Sequence, residues 1–220
     1  MTGRYAAFLF DMDGTLINSI PSAVRAWTAW AERNDVDVDE LMRVMHGVKA
    51  IETIRRFAPS GADPQREFEA LLQAEIDDVA DVVEIAGAAA FTAALPPERW
   101  AIVTSAPRSL AEVRLKAAGV TPPEVMITAD DVERGKPAPD CFLLAAERLG
   151  VDARDCLVWE DAPAGIAAAE AAGADVVVIS ASHHEPLPTR WRQVEGYAAL
   201  TATLEEGRLV LGEAQRPPTR

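Results

Sequence analysis

The sequence predicts an α/β fold, a doubly wound parallel sheet into which a small all-helical domain is inserted. In the second half of the chain, apolar runs rich in β-branched residues alternate with helical segments of about ten residues. Right-handed crossovers between such strands place helices on both faces of the sheet. A long helical segment separates the first apolar run from the second, and this segment predicts the insertion.

Five apolar runs are the predicted strands, and their continuous apolar character is typical of strands that are buried on both faces. They cover residues 6–10, 100–104, 125–128, 156–159 and 176–179. Three predicted helices connect the later strands and cover residues 110–118, 139–149 and 164–172. A glycine directly follows each of these helices, which is a common way for a helix to end.

The segment between the first two strands has a helical pattern throughout. Its predicted helices cover residues 21–33, 40–45, 51–57 and 64 to about 82. Most of them start at a capping side chain, such as Ser19, Asp39 or Asp63, or carry a proline in the first turn. We therefore predict two parts, with residues 1–16 and 84–220 forming the α/β core and residues 17–83 forming a helical domain.

The composition is that of a soluble globular protein, with a formal net charge of −14 and 49% hydrophobic residues. Nucleic-acid binding is not expected, because phosphate backbones require clusters of Lys and Arg. The longest apolar stretch, residues 85–95, is well short of the roughly 20 residues of a membrane-spanning helix, and no signal-peptide pattern is present. Cys141 and Cys156 lie in apolar runs, which indicates buried thiols without a disulfide framework. We predict a cytoplasmic protein without membrane contact.

Polar side chains follow four of the five predicted strands. They are Asp11 and Asp13 after the first strand, Thr104 and Ser105 after the second, Lys136 after the third, and Glu160 and Asp161 after the fourth. In an open α/β sheet, ligands bind outside the carboxyl ends of the strands. We therefore expect these side chains to meet at one edge of the sheet.

Several carboxylates in one crevice raise each other's pKa unless a cation accompanies them. A small set of oxygen ligands suits Mg²⁺, which keeps several waters and shares a phosphate oxygen with its site. Lys136 and the hydroxyls of Thr104 and Ser105 can then hold the other oxygens of a phosphoryl group. The sequence thus predicts a magnesium site for a phosphorylated substrate.

The first strand is followed by a carboxylate that can act as a nucleophile. Carboxylates attack phosphorus to form an aspartyl-phosphate, and Asp11 is placed for this reaction. Asp13 lies two residues on, where an extended chain puts both side chains on one face, so it can serve the leaving group as acid and base. Gly14 permits the tight turn that follows.

Four segments resemble, in order and spacing, the motifs of the haloacid dehalogenase superfamily. They are Asp-Met-Asp-Gly-Thr-Leu at 11–16, Val-Thr-Ser at 103–105, Gly-Lys-Pro-Ala-Pro-Asp at 135–140 and Glu-Asp-Ala-Pro-Ala-Gly-Ile at 160–166. The inserted helices resemble the four-helix cap of the β-phosphoglucomutase-like branch. Residues 46–54 look most like those of sugar-phosphate and glycerol-phosphate phosphatases. The resemblance implies a Rossmann-like core under a four-helix cap.

The resemblance also implies a role for each acidic residue. Asp11 is the implied nucleophile and Asp13 the implied acid and base. Mg²⁺ is bound by Asp11, by the backbone carbonyl of Asp13 and by Asp161. Glu160 contacts either the metal or a water bound to it.

The same resemblance implies the substrate contacts. Thr104 and Lys136 hold phosphoryl oxygens, and Ser105 contributes its main-chain amide. In the cap, His46 and Lys49 are expected to contact the substrate, with surface or core packing as the alternative. Lys49 stands where an arginine is commoner, so a point charge replaces a bidentate fork.

We predict structural roles for the adjacent histidines and for the tryptophans. His183 and His184 are predicted loop residues, because adjacent histidines cannot bind one metal from a helix face as residues at i and i+4 do. The five tryptophans lack the interleaved basic residues of a nucleic-acid stacking platform. We predict that they pack in the core or between the two parts.

The predicted function is that of a monomeric, Mg²⁺-dependent phosphatase, which hydrolyses a small phosphorylated sugar or polyol through an aspartyl-phosphate. A metal-free haloacid dehalogenase is disfavoured, because that branch lacks an aspartate at the position of Asp13. A phospho-accepting receiver module is disfavoured by its motif order and by the size of the insertion. The alternative is a phosphomutase of the β-phosphoglucomutase type, although this chain has Ala23 where those mutases have a histidine.

Overall fold

The computed structural model describes residues 3–183 and 185–213, and within them it contains eleven β-strands and eight α-helices. The strands are β1 (Arg4–Tyr5), β2 (Ala7–Phe10), β3 (Ile17–Asn18), β4 (Val83–Glu84), β5 (Trp100–Val103), β6 (Met126–Ile127), β7 (Cys156–Glu160), β8 (Asp175–Ile179), β9 (Arg192–Val194), β10 (Leu200–Glu205) and β11 (Arg208–Glu213). The helices are α1 (Ile20–Arg33), α2 (Val38–Met42), α3 (Ala50–Phe57), α4 (Pro64–Asp77), α5 (Ala88–Ala93), α6 (Arg108–Ala118), α7 (Asp140–Arg148) and α8 (Pro163–Ala172). His184, a predicted loop residue, lies outside the described residues.

Six strands form one parallel sheet in the order β6-β5-β2-β7-β8-β9. The strand that comes early in the chain, β2, lies in the middle, between β5 and β7. All five predicted strands belong to this sheet, so the predicted doubly wound α/β fold is confirmed. The sixth strand, β9, and a separate antiparallel sheet in the order β1-β11-β10 are absent from the prediction.

Alternate residues of the sheet strands pack on opposite faces. Phe8 and Phe10 of β2 belong to the hydrophobic cluster that contains residues of α5 and α6. Ala7 and Leu9 belong to the cluster that contains residues of α7 and α8. Because helices cover both faces, the central strands β2 and β5 are apolar at every position. This is why the strands form continuous apolar runs in the sequence.

The four helices α1–α4, which we call the helical insertion, lie between β3 and β4. They enclose their own hydrophobic cluster, whose most deeply buried members include Trp30, Leu41 and Ile54. β3 and β4 form a short antiparallel pair in which Ile17 lies opposite Glu84. The chain therefore enters and leaves the insertion at adjacent points. The division into two domains at residues 17 and 83 stays a prediction.

The last helix of the insertion is shorter than predicted. α4 ends at Asp77 instead of near residue 82, and Asp78 has a non-helical backbone conformation with φ −113° and ψ 73°. Asp78 and Asp81 each accept two hydrogen bonds from Arg25 of α1, at 2.8 to 2.9 Å. The local sequence contains no glycine or proline that marks this end of the helix.

The predictions for the cysteines and tryptophans are confirmed. Cys141 and Cys156 are free and buried. The tryptophans pack in or against the hydrophobic clusters of the sheet and of the insertion. Within the part of the chain that the structure describes, no helix combines the length and the apolar character needed to cross a bilayer.

Candidate active site

The turn after β2 brings the first two aspartates to the carboxyl edge of the sheet. The amide of Asp11 donates to the carbonyl of Trp159 at 2.9 Å, which anchors the end of β2 to β7. The chain then turns sharply at Gly14, whose φ is +86°. A Cβ at this glycine would lie only 2.1 Å from Oδ2 of Asp161. The glycine therefore allows both the backbone conformation and the close approach of Asp161.

Lys136 lies beneath the nucleophile candidate and is almost completely buried. Its ammonium donates to Asp11 Oδ1 at 2.6 Å, to Glu160 Oε1 at 2.8 Å and to the carbonyl of Val103 at 3.0 Å. Burial alone lowers the pKa of a lysine, but attraction to Asp11 and Glu160 outweighs it and raises the pKa of Lys136. Lys136 is therefore a permanent positive charge within the site.

Glu160, at the end of β7, holds the lysine in place. Its Oε2 accepts hydrogen bonds from the amides of Asp161 and Ala162, each at 2.7 Å, while Oε1 accepts the bond from Lys136. The first turn of α8 packs directly against this carboxylate, because a Cβ at Gly165 would lie 1.5 Å from Oε1. Both oxygens of Glu160 are thus already engaged.

Asp11, Glu160 and Asp161 form a buried cluster whose carboxylate oxygens lie within 4.8 Å of one another. Burial raises the pKa of Asp11 to about 8, with the charge of Glu160 adding to the shift and Lys136 opposing it. Burial, Glu160 and Asp11 likewise raise the pKa of Asp161, although Thr15 donates a hydrogen bond to it at 3.1 Å. One ammonium does not balance three carboxylates. This all-oxygen, anionic donor set fits a divalent cation such as Mg²⁺.

Thr104 and Ser105, which follow β5, line the same cavity as Asp11. Thr104 accepts a hydrogen bond from the amide of Ala106 at 3.0 Å. Ser105 donates from Oγ to the carbonyl of Gly47 in the helical insertion at 2.8 Å. The Ser105 hydroxyl is therefore engaged with the insertion.

Asp13 is more accessible than the other acids, with a side chain that is 25% exposed. Its Oδ1 accepts hydrogen bonds from Ser19 and, at 3.0 Å, from Nη1 of Arg114. Nη2 of Arg114 donates to Oε1 of Glu75 in α4, also at 3.0 Å. None of Ser19, Arg114 and Glu75 was predicted as a site residue. Arg114 and Glu75 each follow a buried leucine by four residues, so a charge on the apolar face of a helix is the signal that could have found them.

Three further side chains approach the site from loops and from the insertion. His46 lines a cavity at the carboxyl edge of the sheet, and burial, with nearby His183, lowers its pKa. His183 lies in a loop as predicted, yet its Nε2 is 2.9 Å from the carbonyl of Asp161. Lys49 donates to the carbonyls of Val132 and Glu133 at 2.5 and 3.2 Å. The ammonium of Lys49 is thus bound to backbone of the loop before Lys136.

The cavity lies between this edge of the sheet and the helical insertion and has a volume of about 80 Å³. Its walls include Asp11, Asp13, Thr104, His46, Glu75 and Arg114.

 Five of the seven strand-end residues predicted from the sequence line this cavity. The other two, Lys136 and Glu160, are buried behind its wall, where they bind Asp11 and the amide of Asp161. Those that line it are Asp11, Asp13, Thr104, Ser105 and Asp161. The structure thus brings all seven strand-end residues together at one edge of the sheet.

Comparison with known proteins agrees with this geometry. A model of the haloacid dehalogenase-like hydrolase family matches residues 5–173. The chain belongs to this family. The resemblance predicted from the four motifs, and the prediction of a hydrolase, are therefore confirmed.

Relatives within the haloacid dehalogenase-like hydrolases include several phosphatases. The chain is 41% identical over 187 residues to hexitol phosphatase A of Escherichia coli (strain K12), which covers 83% of this chain and 87% of that protein. It is 35% identical over 190 residues to glycerol-1-phosphate phosphohydrolase 2 of Saccharomyces cerevisiae, covering 79% of this chain and 74% of that protein. A solved hydrolase structure from Pseudomonas syringae has a TM-score of 0.73 at 27% identity, covering 81% of this chain and 86% of that chain.

Proposed function

We propose that this protein is a Mg²⁺-dependent phosphatase that hydrolyses the phosphate monoester of a small sugar or polyol. The observation that carries the proposal is the position of Asp11, a buried carboxylate paired with Lys136 and open to a cavity that it shares with Asp13. The names of the relatives, which act on hexitol phosphates and glycerol 1-phosphate, support the substrate class.

In the first step, a carboxylate oxygen of Asp11 attacks phosphorus and the bond from phosphorus to the ester oxygen breaks. Lys136 fixes Oδ1 of Asp11 and offsets negative charge as two anions approach each other. Asp13 gives its proton to the departing alkoxide. The products of this step are the free alcohol and an aspartyl-phosphate on Asp11.

In the second step, water releases the phosphoryl group. Asp13, now a carboxylate, takes a proton from the water, whose oxygen attacks phosphorus while the bond to Asp11 breaks. Inorganic phosphate leaves and the Asp11 carboxylate is restored. Thr104 and Ser105 line the cavity, which supports the proposal that Thr104 and the amide of Ser105 hold phosphoryl oxygens through both steps.

The carboxylates of Asp11 and Asp161 and the backbone carbonyl of Asp13 would hold Mg²⁺. When bound, the ion neutralises the buried carboxylates and polarises the phosphoryl group. In this proposal Glu160 acts mainly by holding Lys136 and two amides, because both of its oxygens already accept hydrogen bonds. A direct contact between Glu160 and the metal stays a prediction.

Residues of the insertion complete the substrate pocket. His46 lies on its wall with Trp27 and Met45, so a polar side chain and apolar surface face the organic part of the substrate. For Lys49, the hydrogen bonds to Val132 and Glu133 support a different role, which is to hold the insertion on the loop before Lys136.

The cavity wall also bears on the mutase alternative. A mutase must shield its aspartyl-phosphate from water and return the phosphoryl group to a second hydroxyl. Ala23 lies on the wall at the position where β-phosphoglucomutases have a histidine, and its methyl group offers neither a proton nor a hydrogen bond. Water is then the readiest acceptor, which favours hydrolysis.

A phosphate-release screen tests the proposal. Sugar, polyol and nucleotide monophosphates are incubated with the protein, with and without Mg²⁺, and we expect Mg²⁺-dependent release from polyol or sugar phosphates. In parallel, β-glucose 1-phosphate with a trace of the 1,6-bisphosphate is followed for both glucose 6-phosphate and free phosphate. Formation of glucose 6-phosphate without phosphate release would establish the mutase instead, and no release from any compound would refute a phosphatase.

A further inference from the structure

A buried ion pair connects the candidate acid and base to the helical insertion. Arg114 of α6 donates through Nη1 to Asp13 and through Nη2 to Glu75 of α4, with both distances 3.0 Å. The side chains of Arg114 and Glu75 are only 4% and 7% exposed. Burying a charged pair is costly and often contributes little to stability. A role beyond stability is therefore the better account of this pair.

We infer that Arg114 is a positioning residue that orients the Asp13 carboxylate for proton transfer, an inference that rests on the proposed phosphatase function. Oδ1 of Asp13 accepts from both Ser19 and Arg114. Among the described residues, Oδ2 accepts no hydrogen bond from protein. Two donors on one oxygen fix the plane of the carboxylate and leave Oδ2 for the leaving group and, later, for water.

The insertion supplies the other half of this arrangement. A guanidinium is a rigid planar fork, so fixing Nη2 on Glu75 also fixes the direction in which Nη1 points. Nε of Arg114 has no partner among the described residues, and the two Nη atoms alone therefore hold the group. Because Glu75 belongs to α4, Asp13 is oriented by Arg114 only while α4 packs against α6.

Direct binding of substrate by Arg114 is the competing account, since its side chain also lines the cavity. Both Nη atoms are already engaged with carboxylates, which favours positioning over substrate binding. The two accounts differ in what they predict for substrates without polar groups. A positioning role affects proton donation to the leaving group, whatever its shape.

The test is a series of aryl phosphates whose phenol leaving groups span a range of pKa, from p-nitrophenyl to p-methoxyphenyl phosphate. The value of kcat/KM reports the steps up to departure of the phenol. A phenol of low pKa leaves without help, whereas one of high pKa needs the proton from Asp13. For Arg114→Met we expect a steeper fall of kcat/KM with leaving-group pKa than in the wild type. The loss should be small for p-nitrophenyl phosphate and about 10- to 100-fold for the poorest leaving group. This is below the roughly 10²- to 10⁴-fold that general acid catalysis usually contributes, because Asp13 itself is kept.

Further variants separate positioning from a structural effect. Lys116→Met removes an exposed cation from the same helix, two residues away, and should leave the slope unchanged. Arg114→Lys keeps the charge without the fork and should restore the slope only in part. Since Arg114→Met leaves Glu75 buried without its partner, the double variant Arg114→Met/Glu75→Met provides a folded control without either charge, and we expect the same steep slope.

The outcomes are distinct. A lowered line parallel to the wild type would overturn the positioning role. A loss confined to polyol phosphates, with the aryl series unchanged, would overturn it in favour of substrate binding. Absence of Mg²⁺-dependent turnover in the wild type would instead refute the proposed function.

Discussion

A single buried lysine organises the charges of the site. Lys136 is bound to Asp11 and Glu160, and the carboxylate of Asp161 lies within the same cluster. Removing one carboxylate thus reduces a repulsion that burial makes strong. Substitutions of these acids are expected to affect chemistry and metal binding far more than folding.

Asp11→Asn should abolish turnover while the fold is kept. The amide cannot attack phosphorus, but its oxygen can still accept the hydrogen bond from Lys136. We expect phosphate release to fall by roughly 10³-fold or more, the scale on which loss of a nucleophile acts in other hydrolases, with no decrease in melting temperature in EDTA. Substantial release by a homogeneous preparation of the variant would contradict the covalent mechanism.

Asp161→Asn should weaken metal binding, because one anionic ligand becomes neutral. The readouts are the Mg²⁺ concentration for half-maximal activity and the rise in melting temperature on addition of Mg²⁺, which follows from binding to the folded state alone. We expect the first to increase and the second to shrink. If both titrations overlay those of the wild type, Asp161 is not a ligand.

At the scale of helices and strands, most of the sheet could be predicted because its signals are local. Continuous apolar runs marked the five strands, and terminal glycines marked the ends of α6, α7 and α8. The end of α4 could not be found in this way, since Asp78 and Asp81 are held by Arg25 on another helix. α5 was not predicted, because it lies in an apolar stretch of the sequence. β9, β10 and β11 were not predicted either, because they are defined by their pairing with other strands.

Some residues of the candidate site could likewise be predicted from the sequence, and others could not. The strand-end residues could be predicted because parallel strands bring their carboxyl ends to one edge. Arg114 and Glu75 could not be placed at the site, because their meeting depends on how α4 packs against α6. Likewise, the sequence could not show that the ammonium of Lys49 meets backbone carbonyls of Val132 and Glu133.

The first turn of α8 gives a prediction at this scale. Gly165→Ala would place a Cβ against Glu160, which holds Lys136. We expect a loss of about 1–3 kcal/mol in the free energy of unfolding, as is usual for overpacking, together with a marked fall in kcat. Urea unfolding and phosphate release measure the two effects. Ala167→Ser, at an exposed position of the same helix, is the matched control and should change neither the free energy of unfolding nor kcat. Wild-type stability and activity of Gly165→Ala would contradict the prediction and show that the Glu160 carboxylate has room to move.

At the scale of the whole molecule, the insertion is held over the edge of the sheet by three sets of hydrogen bonds. They are the bond from Ser105 to Gly47, the bonds from Lys49 to Val132 and Glu133, and the bond from Arg114 to Glu75. Each joins the insertion to a segment that carries a site residue or to a site residue itself. We therefore expect closure of the cavity and assembly of the site to be coupled.

Lys49→Met tests this coupling, because methionine retains much of the apolar stem beside Gly135 but donates no hydrogen bond. If Lys49 holds the insertion closed, kcat/KM should fall by a similar factor for a polyol phosphate and for p-nitrophenyl phosphate. That factor is roughly 5- to 30-fold for about 1–2 kcal/mol of lost hydrogen bonding. Exposed Arg56→Met, in the helix that begins directly after Lys49, is the control and should be near wild type. A loss confined to the polyol phosphate would instead assign Lys49 to substrate binding.

The pairing of β3 with β4 makes the helical insertion exchangeable. Ile17 and Glu84 lie opposite each other, and paired antiparallel residues are only about 5 Å apart. A foreign segment whose ends are equally close could be grafted at this point without altering the order of the sheet. Under the proposed function, core residues that would break the phosphate bond and insertion residues that would contact the alcohol could then be recombined as separate modules.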